Sequence, residues 1–179
     1  MKIKPSSKPG QVVVELGRKD ESLLAPAFRL QRILVPLDFS ECARKALQYA
    51  IPFAEMCEAR LLLLHVVQLS YTAGELGPPE ALLVDADARD GAEKRLRELA
   101  AEAVGKRAAW ETVVRLGLPA DEIVEAANEL NADLIIISTH GHTGLKHILL
   151  GSVTEAVVRR APCPVLTVRQ REHDFVPPA

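Results

Sequence analysis

Two stretches of the chain gather side chains able to do chemistry. One is Pro36-Leu37-Asp38-Phe39-Ser40; the other runs Ser138-Thr139-His140-Gly141-His142-Thr143-Gly144 and continues to Gly151-Ser152-Val153-Thr154. A helical pattern starts right after Gly151-Ser152. The unpaired amides and positive dipole end of such a helix attract an anion, and a glycine ahead of it lets a phosphate approach the backbone with no Cβ in the way. Ser152 and Thr154 add hydroxyl donors at the same end. The chemistry indicated is binding of a phosphorylated ligand. A plainer reading has Gly151 only turning the chain and Ser152 only capping the helix, with Asp38 and Ser40 capping another. Spacing alone leaves both open.

The usual phosphate signatures are absent. There is no Gly-x-x-x-x-Gly-Lys-Ser/Thr and no Gly-x-Gly-x-x-Gly after the first strand pattern of the main unit. His140, His142 and His147 have no cysteine or carboxylate beside them to complete a tetrahedral metal site, so they read as donors near phosphate. Lys146 reads as a solvated charge or a phosphate clamp, and His65 as a packed strand residue. Catalysis needs a nucleophile or base with a partner in reach, and none stands out. No catalytic residue is assigned, and any hydrolysis of a phosphorylated ligand is expected to be slow.

These stretches must be held by short aliphatic runs alternating with helices. The runs are Ile33-Leu34-Val35, Leu61 to Val67, Thr112 to Leu116, Leu134 to Ile137 and Val165 to Val168. Several do not alternate polar with apolar, as expected of parallel strands covered on both faces. Between them, Ala43, Ala46, Leu47, Ala50 and Ala54 recur at helical spacing behind Ser40 as cap, with Pro52 expected to kink or end that helix. A second helix carries Glu93 to Ala100, a third starts near Pro119 with Ile123, Ala127 and Leu130 on one side, and a fourth presents Val153, Ala156 and Val157. The pattern predicts an open α/β sheet with right-handed crossovers, whose ligand crevice lies beyond the strands' carboxyl ends.

At 179 residues the chain is about one domain's worth. Residues 1–30 read as an N-terminal extension, 31–170 as the domain and 171–179 as a tail. Met1 to Gly10 is polar and broken enough to predict a mobile tail, Val12-Val13-Val14 a short added strand, and Tyr71 to Pro79 a long loop that could act as a flap. A formal net charge of -2 gives no field to draw the protein onto nucleic acid or an anionic membrane, and 4% aromatic residues argue against base-stacking platforms. Cys42, Cys57 and Cys163 lie far apart and read as buried small hydrophobes of a reducing compartment. With no leader-like or membrane-length apolar run, a cytoplasmic location is expected.

The segment ADLIIISTHGHTGLKHILLGSVTEAVVRRAPCPVLTV from Ala132 to Val168 closely resembles the universal stress protein family, as do RILVPLDFSECARKAL and LLLLHVV. The resemblance spans Arg32 to about Arg169 and implies strand order 3-2-1-4-5 with an ATP pocket between the first and fourth strands. The family's ATP-binding subgroup carries Gly-x-x-Gly, nine residues, then Gly-Ser or Gly-Thr. Here that register falls on Ser138, Gly141 and Gly151-Ser152, with serine in place of the first glycine. By resemblance Asp38 contacts the ribose or a metal held through Mg-ATP, Pro36 and Val66 line the base pocket, and Gly141, Gly151, Ser152 and Val153 line the phosphate channel. It also implies a homodimer through Val165, Leu166, Thr167 and Val168, unless Val12 to Val14 covers a sheet edge instead. A nucleotide-free dimeric interaction module of the same family is the alternative, favoured by Ser138; a slow ATPase is a second.

Overall fold

The computed structural model describes residues 2–5, 12–15, 29–68, 78–141 and 150–170. Five parallel strands form the main sheet: β3 (Arg32–Pro36), β4 (Arg60–Val67), β5 (Trp110–Leu116), β6 (Leu134–Ser138) and β7 (Val165–Val168). Their order is β5-β4-β3-β6-β7, which is 3-2-1-4-5 counted within the sheet. The aliphatic runs explain this. Ile33, Leu34, Val35 and Leu61 to Leu64 are all at most 1% exposed, so side chains on both faces of β3 and β4 are covered.

Helices supply that cover in two layers. On one side α1 (Glu41–Cys57) and α2 (Pro78–Ala103) place Ala46, Leu47, Ala50, Leu96 and Ala100 over Ile33, Val35, Leu61 and Leu63. On the other, α3 (Pro119–Glu129) and α4 (Ser152–Arg160) place Ile123, Ala126, Ala127 and Val157 over Leu34, Leu62, Leu64, Ile135 and Ile137. Proline at the first position of α3 is tolerated because that amide has no partner within the helix. The edge strands β5 and β7 are only half-buried along most of their length. No helix among the described residues is long and apolar enough to cross a membrane.

Four local expectations need correction. Pro52 does not end α1, which continues to Cys57; its packed alanine face carries on through Ala54. Lys2–Pro5 is not simply tail: as β1 it pairs antiparallel with β2 (Val12–Glu15), Ile3 opposite Val14. Such pairing uses backbone groups, which polar sequence does not forbid. The Val12 to Val14 strand consequently belongs to a two-stranded sheet of its own and covers no edge of the large one. Pro78 and Pro79 open α2 where a loop was expected; the rest of that loop lies outside the described residues.

Candidate functional site: a cleft at the carboxyl ends of β3 and β6

The winding reverses between β3 and β6, since β3 leads outward to β4 while β6 lies on its other side. Strand ends splay apart at such a point and leave a crevice. A cavity of about 250 Å³ opens there. The structure brings all nine candidate residues to its wall: Pro36, Asp38, Val66, Ser138, Gly141, Gly151, Ser152, Val153 and Thr154. It adds residues that sequence reasoning missed, namely an apolar side made by Leu64, Pro119, Ile123 and Ile137, and the polar Gln68. Their signal was position: Gln68 and Pro119 follow β4 and β5 at the same sheet edge.

On the β3 side, Ser40 is the N-cap of α1, its hydroxyl oxygen accepting from the Ala43 amide at 3.2 Å. Asp38 braces that cap. Its Oδ1 accepts from the Ser40 amide at 3.0 Å and from the Ser40 hydroxyl at 2.5 Å. The capping role and a place at the cleft therefore coexist in one carboxylate. Oδ2 lies so close to Gly141 that a Cβ there would overlap it. Gly141 thus leaves room for Asp38 to approach across the cleft, and a side chain there would displace the carboxylate.

On the β6 side, Gly151 donates its amide to the Thr139 carbonyl at 2.8 Å, and a Cβ on Gly151 would meet that oxygen at 3.0 Å. Gly151, not Ser152, is the N-cap of α4, and no side chain caps that end. Ser152 is the first helical residue, so the reading of it as the cap is corrected; glycine and serine are both at home at an N-cap, and their adjacency left the start ambiguous by one residue. Thr154 lines the cleft, but its hydroxyl proton goes to the Ser138 carbonyl at 2.8 Å. It ties α4 to β6 and is not a spare donor. Thr139 in turn donates its amide to Val168 at 2.9 Å, joining this corner to the edge strand β7.

His140 borders the cavity and shares a hydrogen bond with the Thr139 hydroxyl through Nδ1 at 2.9 Å. His142, Lys146 and His147 lie outside the described residues. Among the described residues no three His, Cys, Asp or Glu side chains are grouped to hold a metal ion. The three cysteines are half-buried free thiols. Burial pushes the Cys42 thiol up, with the Asp38 and Glu41 carboxylates adding to it, and burial followed by Asp133 does the same at Cys163. Neither is primed as a thiolate nucleophile.

A doubly wound parallel sheet with a small-residue cleft at its reversal point, bounded by the uncapped start of a helix, defines an open α/β class. The model of the universal stress protein family matches residues 29–169. The chain belongs to that family. It is similar to universal stress protein MJ0531 of Methanocaldococcus jannaschii, 34% identical over 140 residues that cover 78% of this chain and 82% of the relative. The solved structure of MJ0577, a universal stress protein of the same organism, superimposes with a TM-score of 0.71 at 30% identity, covering 82% of this chain and all of that one. A universal stress protein solved in complex with cAMP gives a TM-score of 0.57 at 25% identity, covering 80% and 99% of the two chains.

Proposed function

We propose that this universal stress protein binds an adenine nucleotide, ATP in the first instance, in the cleft between β3 and β6. It would serve as a cytoplasmic, nucleotide-dependent regulator, with residues 31–170 as the unit that does so. The observation that carries this reading is the meeting of two distant stretches around one cavity at the uncapped N-terminus of α4. The amides of its first turn have no intrahelical acceptor and suit phosphate oxygens. Leu64, Val66, Ile123 and Ile137 offer the apolar flank that a purine ring needs. The relative solved with cAMP, an adenine nucleotide, supports the ligand class.

Asp38 would contact a ribose hydroxyl, or Mg2+ carried by the triphosphate, which needs few protein oxygens. No catalytic residue is assigned. The reading is tested by denaturing freshly purified protein and identifying any released molecule by absorbance and chromatography, then titrating ATP by calorimetry. An adenine nucleotide near equal molar ratio, or saturable ATP binding, is expected. A protein released empty that also gives no heat with ATP is instead the nucleotide-free module. Ser152→Ala should weaken ATP by about fivefold, the ~1 kcal/mol of one hydrogen bond. An unchanged affinity leaves the backbone amides as the only contacts there.

We also propose a homodimer through the outer edge of β7, whose Val165, Leu166 and Thr167 are half-buried in a strand paired on one side. An apolar edge left open invites pairing, and a two-fold copy satisfies it. Sedimentation at micromolar concentration should give a dimer, and Leu166→Lys should shift it to monomer. A wild-type monomer removes this proposal.

A further inference from the structure

We infer that His65 is a positioning residue, holding the turn that aims Asp38 across the cleft. Alternation along β4 places His65 on the sheet face of Leu61 and Leu63, away from Val66. From there its Nδ1 reaches the Leu37 carbonyl at 2.7 Å. A carbonyl only accepts, so Nδ1 carries the proton. The ring packs on Phe39 with centroids 4.4 Å apart, and the Arg95 guanidinium lies 4.2 Å from the centre of the same Phe39 ring. Phe39 needs such support because its φ of 66° lies in the left-handed region, which a bulky side chain rarely enters.

The strained residue sits between Asp38 and Ser40, the two groups whose hydrogen bonds fix the carboxylate. Without that backbone reversal the short bridge from Asp38 Oδ1 to the Ser40 amide has no reason to form, and Oδ2 has no reason to rest against Gly141. His65 itself borders the cavity, and it reaches Asp38 through Leu37 and Phe39. Strain at a binding loop persists only where neighbours over-determine it. One histidine fixing the residue before and touching the residue after Asp38 does so from both sides.

The test has one arm without ligand and one with it. The ligand arm rests on the nucleotide reading above; the first arm does not. By NMR, the Ser40 amide should exchange at least tenfold faster in His65→Phe, which keeps a ring and loses the donor, while the amides of Leu63 and Ile135 keep their rates. His65→Asn, whose side-chain amide offers a donor near the Nδ1 position, should restore most of the protection. For ATP, His65→Phe should weaken binding about as much as Asp38→Ala, and the double variant should bind no worse than Asp38→Ala alone. Unchanged Ser40 exchange in His65→Phe overturns the inference. So does faster exchange across β3 and β4 together without rescue by His65→Asn, or losses in the ATP arm that simply add. If wild-type protein binds no ATP, the nucleotide reading fails and the amide arm still decides. Should His65→Phe not fold, His65→Gln, which moves the donor toward the Nε2 position, replaces it in both arms with the same expected outcomes.

Discussion

Gly141→Ala is expected to weaken adenine nucleotide binding by at least tenfold, about 1.4 kcal/mol, with only a small loss of thermal stability. The effect is steric. Gly141 does not adopt a left-handed backbone, so alanine meets no conformational penalty of its own. Its methyl would instead fall on Asp38 Oδ2, far inside van der Waals contact, and one of the two must leave. The loop bearing Gly141 follows directly from the buried Ser138 and Thr139, whereas Asp38 is a half-buried side chain with rotatable bonds. The carboxylate moves first. In moving it strains its bonds to the Ser40 amide and hydroxyl, each worth about 1 kcal/mol or more, but these part-buried groups can be re-solvated by water, which keeps the loss small. Calorimetric titration with ATP reads the first loss and a melting curve the second. The double variant Gly141→Ala, Asp38→Ala separates this account from general damage to the loop. With the carboxylate gone the methyl strikes no other described residue, and the pair should bind as Asp38→Ala does. A double variant far weaker than Asp38→Ala means that Gly141 serves the ligand directly.

The sheet was legible because its code is coarse. Runs such as Ile33-Leu34-Val35 and Leu61 to Leu64 carry no alternation, and only a strand buried on both faces tolerates that. Once five such runs alternate with helices, the carboxyl ends follow as the place for a ligand, and Asp38, Gly141 and Gly151 stand there by position alone. What stayed hidden depends on contacts between distant residues. Nothing near Phe39 announces a left-handed backbone; it follows from His65 and Arg95, which lie 26 and 56 positions further on. Thr154 has the residue type of a ligand donor, but the Ser138 carbonyl, 16 residues away, takes its proton. The start of α4 was uncertain by one residue because two adjacent residue types both suit a cap. The pairing of Lys2–Pro5 with Val12–Glu15 left no hydrophobic pattern to read in Lys2–Pro5, since backbone groups make it.

Gly151→Val should have the larger effect, a loss of ATP affinity of at least a hundredfold, about 2.8 kcal/mol, together with a fall in stability. Here the obstacle is backbone. A Cβ would meet the Thr139 carbonyl oxygen at 3.0 Å, and valine adds two methyl groups beyond it. Thr139 has little freedom to withdraw, because its own amide is held by Val168 at 2.9 Å and its carbonyl accepts from Gly151 at 2.8 Å. The strain is therefore relieved by the first turn of α4 moving out from β6. That motion carries the amides of Ser152 and Val153 away from the cavity. It also stretches the buried bond from the Thr154 hydroxyl to the Ser138 carbonyl, and leaving that carbonyl unpaired costs ~1–3 kcal/mol. Gly151→Ala, with one methyl and a few tenths of an ångström to recover, should fall between wild type and valine in both measurements. Thr154→Val supplies the control, since it removes the buried bond and leaves the start of α4 where it is. It should lose stability comparable to Gly151→Val while keeping most of the ATP affinity. If Gly151→Val melts lower yet binds ATP as tightly as wild type, the first turn of α4 is a structural joint only, and the phosphates must be held elsewhere on the rim.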